Sequence, residues 1–114
     1  MKAAVTVKEN YEFRRIYRKG RSAVSPYFVV YCLKNRAGAS RLGVTVSKKL
    51  GHAVVRNRVR RRLREIYRLN AGRLKEGYDV IAVARVKAAH SRYAVLERDF
   101  LRLSQKLDLL KPEG

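Results

Sequence analysis

Residues Arg41–Arg68 read RLGVTVSKKLGHAVVRNRVRRRLREIYR, and the change of period partway along this stretch decides the fold. Leu42, Val44 and Val46 alternate with Gly43, Thr45 and Ser47, the period of two that marks a strand with one apolar face and one small polar face. Gly51 offers a turn. Beyond it the period lengthens: at 100° per residue Val55, Val59, Leu63 and Ile66 fall within about 80° of one another, which predicts a helix whose apolar stripe lies on a sheet. The next apolar run, Tyr78–Ala84 (YDVIAVA), is nearly continuous. A buried strand entered through a helical crossover has this composition, so Leu42–Ser47 and Asp79–Ala84 are expected to be parallel.

Outward from this unit the chain supplies the remaining elements. Asn10–Lys19 (NYEFRRIYRK) predicts a helix, with Asn10 as its cap, Glu12 near its positive end, basic residues in its last turn and Gly20 as its stop. Phe13, Ile16 and Tyr17 share one face, most simply for core packing. Ser22–Val24 and Tyr27–Leu33 read as strands separated by Ser25-Pro26. In the longer one Phe28, Val30 and Cys32 oppose Tyr27, Val29, Tyr31 and Leu33. Lys34–Ser40 reads as a hairpin loop, Gly72–Gly77 as a connection and Lys87–Arg92 as a loop. From about Tyr93 a last helix carries Leu96, Phe100, Leu103, Leu107 and Leu110, stepping by 4, 3, 4, 3. That run is too short for a coiled coil and reads as core. The expectation is one α+β domain over residues 1–114, in the order α-β-β-β-α-β-α, with helices packed on a four-stranded mixed sheet.

Charge points to the partner. The chain of 114 residues is 46% hydrophobic, enough for an ordinary core, yet it carries 28 Lys and Arg against 9 Asp and Glu, a net charge of +19 with pI near 11.0. So much self-repulsion favours a polyanionic partner. Nucleic acid fits better than a membrane, since no long apolar span or amphipathic anchor is present. The central helix concentrates the charge. Asn57, Arg60, Arg61, Arg64 and Arg68 lie opposite its apolar stripe, with Arg56, Arg58 and Arg62 on the flanks. From Lys48 to Arg68 nine basic residues face one acid, Glu65. A merely solvated face gains i,i+4 pairs by alternating signs; this one repels itself and is built for phosphates. Lys48 and Lys49 stand where the strand ends, beside Thr45 and Ser47. Phe13, Tyr17 and Tyr31 are aromatics on which unpaired bases could stack.

Catalytic constellations are absent from the sequence. His52 and His90 have no partners at metal-ligand spacing. Asp79, Asp99 and Asp108 form no pair suited to acid–base or two-metal chemistry. Ser47-Lys48-Lys49 lacks a base, and there is no phosphate-binding glycine motif. Cys32 is alone and reads as a small core residue. No export leader opens the chain, so a cytoplasmic address is expected by default. On its residues alone the chain is an RNA-binding protein, with a ribosomal or general RNA-chaperone role open to it and a stand-alone nuclease disfavoured.

GVTVSKKLGHAVVRNRVRRRLREIYR also resembles the signature of the protein subunit of bacterial ribonuclease P, where a strand ending in Ser-Lys-Lys leads through Gly-x-Ala-Val into an Arg-Asn-Arg helix. NYEFRRIYRKG, PYFVVY and EGYDVIAVAR resemble the family's first helix, second strand and last strand, so the likeness covers nearly the whole chain. The resemblance implies a subunit of an endoribonuclease holoenzyme whose catalytic partner is a large RNA, with magnesium required by the holoenzyme and none bound by this chain. It implies precursor tRNA as substrate, cleaved to form the mature 5′ end. No protein partner is expected. It implies that Arg56, Asn57, Arg58, Arg60, Arg61 and Arg64 bind RNA, and Lys48 and Arg68 are expected to join them from their places at the strand end and on the same helix face. Phe13, Tyr17, Tyr31, Thr45, Ser47 and Lys49 would hold the single-stranded 5′ leader. It further implies a left-handed strand–helix–strand crossover, against the usual right-handed rule. Tyr17 stands where Phe is also common, Arg60 where Lys is frequent, and Met1–Lys8 is less basic than in many relatives.

Overall fold

The computed structural model describes residues 5–112; the other residues of the expected 1–114 domain lie outside that range. Three helices, α1 (Asn10–Lys19), α2 (Ala53–Asn70) and α3 (Tyr93–Lys106), accompany strands β1 (Val5–Thr6), β2 (Arg21–Val24), β3 (Phe28–Lys34), β4 (Arg41–Val46) and β5 (Tyr78–Ala84). The sheet order is β1-β4-β5-β3-β2. β4 and β5 are parallel across the α2 crossover, while β5, β3 and β2 pair antiparallel. These four long strands and three helices follow the predicted order. Two-residue β1 extends the sheet, running parallel to β4; so short a segment carries no periodicity to read.

The α2 crossover also overturns one local reading. It returns the chain so that β5 lies between β3 and β4, and Lys34–Ser40 therefore cannot be a hairpin loop. Lys34 ends β3, and Asn35 organises the connection instead. Its side-chain oxygen accepts from the amides of Ala37 and Gly38, while its Nδ2 donates to the Ala39 carbonyl and to Asp79.

The two sheet faces are covered unequally. On one, Phe28, Val30, Cys32, Leu42, Val46, Val80 and Ala82 pack against Val59, Leu63 and Ile66 of α2 and Leu96, Phe100 and Leu103 of α3. Val55 completes the α2 stripe, partly buried against the same core. On the other face α1 stands alone, and the core shrinks to Val7, Ile16 and Ile81, edged by Phe13, Tyr31, Leu33 and Val83.

Beyond one-residue shifts at the ends of β2, β3 and β4, the structure departs from the sequence reading at three further boundaries. The cap of α1 is Glu9, not Asn10, because Glu12 reaches back to accept from the Glu9 amide at 3.4 Å. α3 stops at Lys106 because Asp108 adopts φ 56°. The amides of Leu109 and Asp108 then close onto the Ser104 and Gln105 carbonyls at 2.8 and 3.0 Å. Leu107 is therefore a buried cap residue, and Leu110 lies beyond the helix, bridged to Leu74. The segment expected to be a loop over 87–92 contains a 3-10 turn, Val86–His90, that buries Ala88 and Ala89.

Candidate nucleic-acid interface

The thinly covered face builds a cleft. Strand register sets Tyr31, Ile81 and Gly43 in one cross-strand row, and Val29, Val83 and Thr45 in the next. α1 lies over the first row. Gly43 makes that possible: a Cβ there would fall 2.8 and 2.9 Å from atoms of the Phe13 ring, so only glycine lets the ring settle on β4. The second row stays half-buried, because a ten-residue helix is too short to cover it. At the edge Tyr17 packs T-shaped on Tyr31, centroids 4.8 Å apart at 72°, and the Phe13 ring is tilted against Tyr17 at 6.2 Å. The Tyr17 hydroxyl lies 3.1 Å from Thr45 Oγ1. The resulting cleft, about 370 Å³, is lined by Asn10, Phe13, Arg14, Tyr17 and Thr45.

Of the six residues expected to hold a leader, Phe13, Tyr17, Tyr31 and Thr45 thus come together. Ser47 and Lys49 are exposed and continue from the end of β4. Asn10, expected only as a helix cap, and Arg14 join the cleft as lining residues that the sequence reading does not assign to it. Their signal was there, since Asn10, Arg14 and Tyr17 step by 4 and 3 along one side of α1.

A charged knot holds α1 in place. The Arg41 guanidinium grips Asp79 in a two-pronged contact at 2.9 and 2.8 Å and also pairs with Glu12 of α1. Asp79 is almost wholly buried. Burial alone would raise its pKa, but the bonds from Arg41 and Asn35 win and hold it below the usual carboxylate range. The bond from Arg41 likewise lowers Glu12, and the two carboxylates push Arg41 upward.

The basic helix occupies the opposite side of the sheet. Asn57, Arg61, Arg64 and Arg68 are exposed, and Arg56, Arg58 and Arg60 half-buried. Arg60 donates to Asn57 Oδ1 at 3.0 Å, fixing that amide on the helix surface. Arg62 instead turns to the Ser91 carbonyl at 3.2 Å and fastens the helix to the segment before α3. The Nε groups of Arg56 and Arg58 are buried with no partner among the described residues, leaving an unmet donor on each. α2 begins at Ala53 with no acid in its first turn and no side-chain cap from His52, so its amide dipoles add to this positive surface. Lys48 and Lys49 occupy the 3-10 turn that joins β4 to α2. That turn is where the cleft side and the arginine side meet.

Among the described residues no three His, Cys, Asp or Glu side chains gather as a metal site. Glu12 and Asp79 are committed to Arg41, and Asp99 to Arg102 and Ser25. These carboxylates do not fit a magnesium site. Cys32 is buried, and desolvation raises its thiol pKa. No described helix is long and apolar enough to cross a membrane.

Residues 1–108 match the family model described as Ribonuclease P. A protein of Natranaerobius thermophilus named "Ribonuclease P protein component" is 45% identical over 111 residues, covering 97% of this chain and 96% of its own. One of the same name from Clostridioides difficile is 39% identical over 104 residues, covering 90% and 91%. The solved RNase P protein of Staphylococcus aureus superposes with TM-score 0.87 at 33% identity, covering 95% of this chain and 99% of its own. That of Thermotoga maritima gives 0.81 at 31%, covering 96% and 98%.

Proposed function

The chain belongs to the ribonuclease P protein family, and from that membership we propose how its two surfaces divide the work of a protein component of the holoenzyme. The arginine face of α2, with Lys48, Arg56, Asn57, Arg58, Arg60, Arg61, Arg64 and Arg68, binds the catalytic RNA. The cleft on the other side of the sheet, with Phe13, Tyr17, Tyr31 and Thr45 and continuing to Ser47 and Lys49, holds the 5′ leader of precursor tRNA. The observation that carries this reading is the cleft. Aromatic rings meet at its edge beside half-buried Thr45, an arrangement that accepts unpaired bases.

Each surface uses a different physical handle. Guanidinium forks on a helix match phosphates bidentately, with a contribution that weakens as salt rises. Aromatic stacking in the cleft depends little on salt, and the Tyr17 hydroxyl and Thr45 Oγ1 add polar atoms that can meet a base edge. The protein moves no proton and cuts no bond in this account. It neutralises the catalytic RNA and presents the leader so that the RNA, with its magnesium, cleaves. The same reading carries a cytoplasmic address, where tRNA precursors are processed.

The test is cleavage of precursor tRNA by the cognate catalytic RNA at low magnesium. Adding the protein lowers the magnesium needed. Unchanged cleavage across a range of protein concentrations overturns the reading in favour of a general RNA chaperone.

A further inference from the structure

α1 has a third side. At 100° per residue Tyr11, Arg14, Arg15 and Arg18 fall within about 100° of arc, turned away from Ile16 and the sheet. Tyr11 is 70% exposed, and the three arginines are exposed as well. None of the three has a hydrogen bond or ion pair among the described residues, in contrast to Arg21, Arg41, Arg62, Arg85 and Arg102, which all do. The acids nearest the arc, Glu12 and Asp79, are both paired with Arg41, and of the three arginines only Arg15 is close enough for its charge to act on Asp79. Arg14 and Arg18 stand at i and i+4 and Arg15 and Arg18 at i and i+3, spacings at which like charges destabilise a helix. A solvated face would relieve this with acids, and this one does not.

The arc is continuous with the cleft through Arg14, which belongs to both. The two ends of the cleft differ. Beyond Thr45 the floor runs through Ser47 and Lys49 to the start of α2, whose arginine face is assigned above to the catalytic RNA, so this end lies toward the scissile bond. Across Asn10 and Arg14 the cleft opens onto Tyr11, Arg15 and Arg18. Resting on the leader-binding reading of the cleft, we propose that this outer arc of α1 is a second single-stranded RNA surface. It takes the distal part of the leader, upstream of the nucleotides in the cleft, with Arg15 and Arg18 on phosphates and Tyr11 stacking on a base. Substrates with longer leaders then bind more tightly than those whose leader ends in the cleft.

The experiment measures affinity of the reconstituted holoenzyme for precursor tRNAs of increasing leader length. Short substrates are defined as the shortest on which Tyr31→Ala costs affinity. The double variant Arg15→Ala/Arg18→Ala is expected to bind long-leader substrate several-fold more weakly, with the salt slope lowered by about 1.4, roughly 0.7 for each arginine on a single strand. Its affinity for the short substrate stays at the wild-type value. Equal losses on both lengths, or none on either, overturn the proposal. If Tyr31→Ala still discriminates leader-bearing from mature tRNA in that case, the cleft reading stands and only the outer arc is lost. If Tyr31→Ala has no effect at any leader length, the cleft reading fails with it.

Discussion

The two faces of one sheet follow opposite strategies. The face under α2 and α3 is closed: two helices of 18 and 14 residues bury an apolar row from each of β3, β4 and β5, and that core holds the arginine helix rigid. The face under α1 is left open, because ten residues cover one cross-strand row and leave the next half-exposed. Closure provides stability; incompleteness provides a site. A residue's effect on folding or on RNA should therefore follow from the face it occupies.

The largest effect belongs to the closed face. Phe100 is 1% exposed, and Phe100→Ala should cost about 3–5 kcal/mol in denaturant unfolding through the cavity it leaves. A loss below 1 kcal/mol would mean that this core is not the stabilising one. Next comes the knot beneath α1. Arg41→Met strands Asp79 without its main partner and should cost about 3 kcal/mol at neutral pH, the low end for a broken buried pair because Arg41 itself keeps partial exposure. Because Asp79 and Glu12 are held below the usual carboxylate range, the stability they contribute is present above about pH 4 and lost as pH falls through their lowered values. The gap between wild type and variant therefore closes on acidification, as thermal unfolding across a pH series would record. A gap that widens in acid would refute the assignment.

On the open face the same scale of change should move binding more than folding. Tyr31→Ala should weaken leader-bearing substrate by about 1–3 kcal/mol with little change for mature tRNA. The smallest effect is Tyr17→Phe, which keeps both ring contacts and removes the bond to Thr45. Its expected cost is about 0.5–1.5 kcal/mol, read as altered preference among leader sequences at constant unfolding midpoint.

The closed face was far more legible in the sequence than the open one, for a physical reason. Val55, Val59, Leu63 and Ile66 announce a helix stripe, and Leu42, Val44 and Val46 a strand face, because burial imposes a period. The cleft has no period of its own. Phe13 and Tyr17 look like core residues until Gly43 and the short reach of α1 show which ring is covered and which is edge. The residues alone offered them with Tyr31 as stacking aromatics, and resemblance to a known family joined the three to Thr45 in one cleft. The contact of Arg41 with Asp79 and Glu12 has no local signal, because it joins residues 38 and 29 positions apart. The placement of β5 between β3 and β4 was likewise hidden, since Lys34–Ser40 carries every local mark of a hairpin. Arg62 sits amid RNA-facing arginines by spacing, yet it bonds the Ser91 carbonyl.

The division between the faces is tested most directly by comparing two variants in the assembled holoenzyme, Tyr31→Ala and Arg61→Ala, for affinity to leader-bearing and mature tRNA and for assembly with the catalytic RNA across salt. Tyr31→Ala should lose discrimination for the leader and assemble normally. Arg61→Ala should keep that discrimination while its assembly weakens, with the salt slope reduced by about one unit. Two variants that behave alike in both measurements would contradict the separation of substrate and catalytic RNA onto opposite sides of the sheet.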